Sequence, residues 1–538
     1  MQRIGCTAFR KTVVYLSVFT LLALTGCAKH EKVIAPQNNT LRYALLSEPT
    51  TFDPAVVEDG TTIDMLQNLY EGLVEWTPKN TLAPALASSW TISPDGKTYT
   101  FKIRPGVHFH SGIVVTAQDV VYSIRRSLDP KLASPVAMTY LGDLVGAADY
   151  SSGKSSILAG VKAIDPATVQ FTITKPKAYW INVLTYPTAY ILNKNAVDRD
   201  PQKNVTYQNE DGTGPFTIKS YIRGESVDLA AFPNYWAGAP KIAGIHRPII
   251  TDANTRHELY VIGRLDMVDL SAGTVSTDEH DPALKNQIVF WPRAATFYLG
   301  LNQKGYAPFA DVRVRQAFAY ATDKAKIAKL VFDGHRDIAG DILPEGLPGF
   351  DPKFTGIPYD PAKAKELLAA AGYPNGKGLP ILPIFYRESY PDLEKTVDVL
   401  RQMYQENLGV VVQPRRTEWA TLMQMQDTNT LPAYHIRWAA DYLDPQDYYS
   451  VLLRTGSIED HVCYSNPKYD ALCDKADIAQ NPAKRLALYR QAAQIAATEV
   501  PVIPLYYSKE PELIRPYVHN LDDSMMGHLP YVHVTLGQ

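Results

Sequence analysis

Apolar and polar positions alternate with two different periods along this chain. "LRYALL" (41–46) and "TYTFKIRP" (98–105) alternate every second residue and predict strands. "GVKAIDPATVQFTITK" (160–175) predicts two strands around a turn that contains Pro166. "TAQDVVYSIRRSL" (116–128) predicts a helix, with Thr116 as its cap and Asp119 at the third position. From residue 290 the pattern becomes more regular. "TFYLGLN" (296–302) predicts a strand, and "DVRVRQAFAYATDKAKIAKLVF" (311–332) one long helix. "DPAKAKELLAAAG" (360–372) has Asp360 as a cap, Pro361 at the first helical position and Gly372 just past the end. "PDLEKTVDVLRQMYQENLG" (391–409) places Leu393, Val397, Leu400 and Tyr404 on one face. "NPAKRLALYRQAAQIAATEVPVIPLYY" (481–507) predicts a capped helix and then a strand. Such alternation predicts an α/β protein with helices covering a sheet. Pro and Gly are spread through the connections, which predicts lobes crossed by several chain segments.

The first residues follow a different pattern. Arg3, Arg10 and Lys11 precede an apolar run from Val13 to Leu24, and the run ends in Leu24-Thr25-Gly26-Cys27. A membrane-spanning helix needs about 20 apolar residues, so this shorter run predicts a secretory signal peptide over 1–26. Its ending resembles the lipobox of bacterial lipoproteins, which implies a lipidated Cys27. Residues 27–40 then form a short polar tether.

Composition narrows the function. Removing Arg3, Arg10 and Lys11 with the leader takes the formal charge from -3 to -6. A mildly acidic chain gives no reason to expect nucleic-acid binding. With 46% hydrophobic and 20% charged residues it is ordinary globular protein, long enough for two or three domains. Cys463 and Cys473, ten apart in an exported chain, read most naturally as a local disulfide, and a metal pair is the weaker alternative. His108 and His110 share a face of a probable strand, but two ligands do not make a metal site. No metal and no cofactor are expected. G-x-S-x-G, H-E-x-x-H, the P-loop and the dinucleotide fingerprint are all absent. S-x-x-K occurs at 151–154 and 465–468 without S-D-N or K-T-G. The chain is therefore not expected to be an enzyme.

One stretch holds more chemistry than its local structure requires. In "RWAADYLDPQDYYSVLL" (437–453), Asp444 suits a helix cap, Pro445 the first helical position, and Asp447 the third position of a capping-box-like pattern. Asp441 is left over among Trp438, Tyr442, Tyr448 and Tyr449. A carboxylate in that setting calls for a cation, and Tyr and Trp suit a wet cleft.

Several blocks together carry a resemblance. They are "LYEGLVEW" (69–76), "LAPALASSWTISPDGKTYTFKIRPGVHFHSG" (82–112), "VTAQDVVYSIRRSLDP" (115–130), "GTGPFTIKSY" (212–221) and "NYW" (234–236). "LNQKGYAPFADVRVRQAFAYATDK" (301–324), "YDPAKAKELLAAAGYP" (359–374) and "WAADYLDPQDYY" (438–449) follow. Over nearly everything after residue 40 the chain resembles the extracellular solute-binding proteins of the peptide, opine and nickel class. It is most similar to the periplasmic oligopeptide-binding proteins of ABC importers.

The resemblance implies a type II, two-lobed periplasmic binding protein of the large peptide-binding class. Its first lobe has an extra subdomain, and a hinge closes the cleft on the ligand. The implied segments are 41–75, 192–292 and 508–538 for the core of lobe I, 76–191 for the extra subdomain, and 293–507 for lobe II. In peptide-binding members the Asp of W-x-x-D-Y pairs with the peptide ammonium, and Asp441 matches it. Trp438, Ala439 and Tyr442 flank it, and Tyr140 matches a cleft Tyr. His435 and Arg437 precede the motif. Neither is assigned to the peptide carboxylate, and three roles are open for Arg437: reshaping the pocket, a salt bridge to Asp441 in the empty protein, or a solvent-facing strand edge. The expected function is a lipid-anchored, monomeric receptor, periplasmic or at the cell surface, that passes oligopeptides to permease and ATPase subunits. The alternatives are another solute on the same scaffold (oligosaccharide, opine or metal chelate), or a peptide sensor not coupled to import.

Overall fold

The computed structural model describes residues 38–537 apart from 201, 203, 389, 390 and 458. The expected leader, Cys27 and most of the tether lie outside the described residues. Three sheets organise the rest. A four-stranded sheet has the order Thr40–Arg42, Gly244–Pro248, Ser226–Ala231, Phe216–Ile222, with only the first pair parallel. A second, antiparallel sheet has the order Ala87–Ile92, Thr98–Ile103, Thr168–Thr172, Val161–Asp165.

The helix Ala117–Ser127 covers that second sheet and buries Val120 and Ile124 in a core shared with Phe101, Phe171 and Trp180. Its start follows the expected cap chemistry. The Asp119 carboxylate accepts the Thr116 N–H at 2.8 Å and the Thr116 hydroxyl at 2.7 Å, so an amide that the helix leaves unpaired is satisfied locally.

The third sheet has six strands in the order Met267–Asp269, Val502–Ile514, Ile288–Leu301, Ala433–Ala439, Leu382–Arg387, Val412–Thr417. Two of them are unusually long. Ile288–Leu301 and Val502–Ile514 run antiparallel, and their register breaks between Pro292 and Thr296. The helix Pro391–Leu408 packs on this layer through Leu393, Val397, Leu400 and Tyr404, all buried. Each such side chain contributes roughly 1.5–3 kcal/mol by leaving water. Packing of this face, more than helix propensity, therefore holds the helix in place.

The apolar period is not always a guide to length. Residues 311–332 form two helices, Val312–Tyr320 and Lys324–Phe332, and not one. Asp323 accepts the Lys326 N–H at 2.9 Å and starts a second helix, while the Thr322 hydroxyl bonds back to Phe318 O at 2.7 Å. The other two caps occur as the spacing predicts: Asp360 accepts the Lys363 N–H at 2.9 Å and Asn481 the Lys484 N–H at 2.9 Å. The helix Pro482–Glu499 ends at Val500, whose φ of 51° is left-handed. A β-branched residue there costs roughly 1–3 kcal/mol, and burial of its side chain beside Ile503 and Leu505 offsets that cost.

Candidate functional site

The strand Ala433–Ala439 lies between Ile288–Leu301 and Leu382–Arg387, with Ala439 opposite Ala295, Trp438 opposite Thr296 and His435 opposite Leu299. Side chains alternate along it, so His435, Arg437 and Ala439 share one face. Their depths differ. His435 is fully buried, with Nδ1 3.1 Å from Tyr298 O and Nε2 3.1 Å from the Tyr506 hydroxyl. Burial pushes its imidazole down to about 4, with the bond to Tyr298 opposing, so it is neutral. His435 is thus a residue of the sheet core and is withdrawn from the expected cleft set. Arg437 is exposed and reaches Glu510 at 3.9 Å. Of its three open roles, the structure has the solvent-facing one, with the side chain directed to Glu510 and not to Asp441. Ala439 is exposed.

The strand ends where the Ala440 N–H donates to Ala294 O at 2.7 Å. A turn follows, and the helix Gln446–Leu453 begins. Asp444 accepts the Gln446 N–H at 2.8 Å, as a cap would, and holds the Arg485 guanidinium at 2.7 and 2.5 Å. Asp447 does not complete a capping box. Its carboxylate turns back out of the helix, and Oδ2 accepts the Trp438 indole N–H at 3.0 Å and the Asp441 N–H at 3.1 Å. The rim of the motif is therefore tied to a fully buried acid.

Asp441 itself is part-buried. Burial pushes its carboxyl up to about 6, a hydrogen bond from Tyr140 opposes this, and the charge of Glu459 adds to it. Tyr140 comes from the short helix Ala137–Leu141, some 300 residues earlier in the chain. Its ring stacks on Tyr186 with centroids 3.7 Å apart, and the Tyr186 hydroxyl donates to Val57 O at 3.4 Å. The Asp441 carboxylate beside the Tyr140 hydroxyl is an acceptor suited to a cation. Trp438 is half-buried beside it. Tyr442 points elsewhere: it stacks on Tyr179 at 5.5 Å and its hydroxyl bonds to Gln446. Periodicity gave no signal for Tyr186, for Arg485, or for the inward role of Asp447.

A cavity of about 590 Å³ opens beside the register break of the two long strands, lined by Asn80, Trp291, Arg293, Tyr507, Lys509 and Asp523 among others. Its two cations, Arg293 and Lys509, are paired. Arg293 meets Glu510 at 2.6 Å and Asp523 at 2.8 Å, and Lys509 meets Asp337 at 2.5 Å.

Two further expectations concern chemistry away from the cleft. Cys463 and Cys473 are free thiols, so the expected disulfide is corrected. The helix Pro467–Ile478 turns Cys473 into the core, where burial pushes the thiol up to about 12. His110 is engaged by Glu210 and by Gly214 O, each at 3.0 Å.

Residues 81–460 match the profile of bacterial extracellular solute-binding proteins, family 5 Middle. Over 517 residues the chain is 30% identical to heme-binding protein A of Haemophilus influenzae, covering 93% of this chain and 92% of that protein. Over 486 residues it is 30% identical to the periplasmic oligopeptide-binding protein OppA of Escherichia coli, covering 88% of each. The fold matches the periplasmic murein tripeptide binding protein MppA in its unliganded open form with a TM-score of 0.81. That match has 25% identity and covers 94% of this chain and 98% of that one.

Proposed function

Because the chain belongs to the bacterial extracellular solute-binding proteins of family 5 and has their two-lobed α/β fold, we propose that it is an oligopeptide receptor that serves an ABC importer. It is exported and held at the membrane by lipid on Cys27, and it works as a monomer. The α-ammonium of the peptide docks on Asp441 beneath Tyr140, with Trp438 and Ala439 at the rim. The observation that carries this reading is the Asp441 carboxyl at the end of the strand, part-buried and pushed up to about 6 by burial, with the Tyr140 hydroxyl opposing. A buried carboxylate of that kind gains most from a cationic partner.

The lobe boundaries follow the same reading. Lobe I comprises 41–75, 192–292 and 508–538, with 76–191 as its subdomain, and lobe II comprises 293–507. The register break between Pro292 and Thr296 supports a hinge at those crossings. Tyr140 and Asp441 then face each other from different lobes, so closure and ligand capture act on one contact.

A second reading keeps the scaffold and changes the solute. It is favoured by the relative named for heme, which is as similar to this chain as the oligopeptide receptor is. One experiment separates the two. The protein is purified natively and denatured, and the released small molecules are read by mass spectrometry. A ladder of mixed short peptides is expected. A single non-peptide species would move the function to the second reading.

A further inference from the structure

Behind Asp441 lies a second carboxylate that ammonium capture does not require. Asp447 is fully buried. Its Oδ2 accepts two hydrogen bonds, from the Trp438 indole and the Asp441 N–H. Its Oδ1 is buried and meets no partner among the described residues. An ionised carboxylate with one bare, desolvated oxygen is a costly arrangement. The charges that act on it, Asp441 and then Asp444, are both negative, and the Arg485 guanidinium is already committed to Asp444. Tyr448 faces the pair, the Tyr442 ring lies near it with its hydroxyl turned to Gln446, Tyr140 and Tyr186 face Asp441, and Glu459 adds a further negative charge there. Two carboxylates so placed do not both ionise readily.

We propose that Asp447 is the positioning residue of the cation site and works as a neutral acid. Its proton sits on Oδ1, its Oδ2 fixes the Asp441 main chain and the Trp438 ring, and the pair carries a single negative charge. Burial, and after it the charge of Asp441, holds the Asp447 carboxyl well above the usual carboxylate range. Asp441 is then the group that titrates. Below about pH 6 it takes up a proton in the empty cleft, and a docking ammonium returns that proton to the buffer. The inference rests on the Asp441 reading and deepens it: the site selects a monocation, and acidification weakens capture.

The test is calorimetry on the purified protein with the tightest binder of a tri- to pentaalanine series, at pH 5 to 8 and in two buffers of different protonation enthalpy. Asp447→Asn offers an oxygen to the same two donors and an N–H where the acid has its O–H. It is expected to bind within about threefold of wild type at pH 7, with the same pH midpoint. Asp447→Leu offers neither acceptor and is expected to bind at least about tenfold more weakly. Wild type is expected to release about one proton per peptide at pH 5. A tenfold loss in the Asn variant, with its melting temperature unchanged, would make Asp447 a second charge and overturn the proposal. Full affinity in the Leu variant would remove its positioning role. The proton count decides without any variant, since none or two refutes it. The N-acetylated peptide separates the two levels. If it binds like the free peptide, or if no member of the series binds, the ammonium reading itself is wrong. If acetylation abolishes binding while the Asp447 results fail, only this inference falls.

Discussion

Replacing Asp441 with Asn removes one charge and leaves the shape of the side chain almost unchanged. The structure allows the consequence to be sized. The carboxyl sits at about 6 against an ordinary 3.8, chiefly because it is buried. At about 1.4 kcal/mol per tenfold, that gap makes the ionised form roughly 3 kcal/mol less favourable than in water. A bound ammonium relieves much of this and adds a charge-assisted hydrogen bond. Against it stands the cost of drying the ammonium itself. The net expectation is a loss of ~2–4 kcal/mol in peptide affinity, which is roughly thirty- to a thousandfold in Kd.

Affinity alone does not identify the partner, so the assay is a cycle. Wild type and Asp441→Asn are titrated by calorimetry with one peptide, free and N-acetylated. If carboxylate and ammonium meet, either change alone costs the full amount, and the second adds little once the first is made. A coupling of ~2 kcal/mol or more is expected. Independent, additive losses would refute the pairing even if each were large, because they would show that the two groups act in different places.

Other expectations concern the frame. Glu71 is buried, accepts bonds from Tyr235 and Trp236, and is pushed by burial to about 7 from 4.5. A folded-state value raised above the unfolded one means that stability is fully present below about pH 4.5 and is lost as pH rises towards 7. Glu71→Gln should therefore melt higher than wild type at pH 8, by up to roughly 3 kcal/mol, and match it near pH 4.5. A gain that is constant with pH would contradict this. Arg485→Met leaves Asp444 buried without its guanidinium, and urea denaturation should show a loss of about 3–5 kcal/mol. A change under about 1 kcal/mol would mean that the pair is replaceable by water. Because Cys463 and Cys473 are free, a reductant should leave the melting temperature unchanged, and a fall of several degrees would reveal a bridge. Cys27→Ser should release the exported protein from the membrane fraction, and retention would remove the lipid anchor.

Much of the frame was legible because it is written locally. Asp360, Pro361 and Gly372 mark a helix within a dozen residues, and the apolar face of 391–409 repeats often enough to be read without neighbours. The helix predicted over 311–332 failed for the same reason. Val314 and Phe318 lie before the break and Ile327 and Val331 after it, and all four are buried. The apolar pattern therefore runs through a boundary that only the Asp323 cap marks. Local chemistry also misled at Asp447, where a cap-like spacing gave a sufficient account and hid the turn back to Trp438. His435 shows the other limit. Alternation gives the face a strand residue occupies, but its depth depends on which strands flank it. With Ile288–Leu301 on one side and Leu382–Arg387 on the other, position 435 is central and dry, while Arg437, two residues along the same face, is exposed.

The cleft was the least legible part, for a topological reason. Val57, Tyr140, Tyr186 and Asp441 are far apart in sequence, and no period or spacing links them. Family resemblance supplied Tyr140 and Asp441 one at a time, by motif, and supplied neither Tyr186 nor Asp447. These two matter because each fixes a primary residue: the Tyr186 ring stacks on Tyr140, and the Asp447 carboxyl holds the Asp441 main chain. A carboxylate held from behind and capped from the opposite wall has little freedom left to adapt to its ligand. On the proposed function, tolerance of varied peptides would lie away from the ammonium, in the cavity beside the long strands, where the Arg293 and Lys509 charges are already paired within the protein. A ligand carboxylate entering there has to compete with Glu510, Asp523 or Asp337 for its cation. If the proposed function holds, anchoring at one end and contested charge at the other predict a receptor that reads the peptide's amino end closely and its carboxyl end loosely.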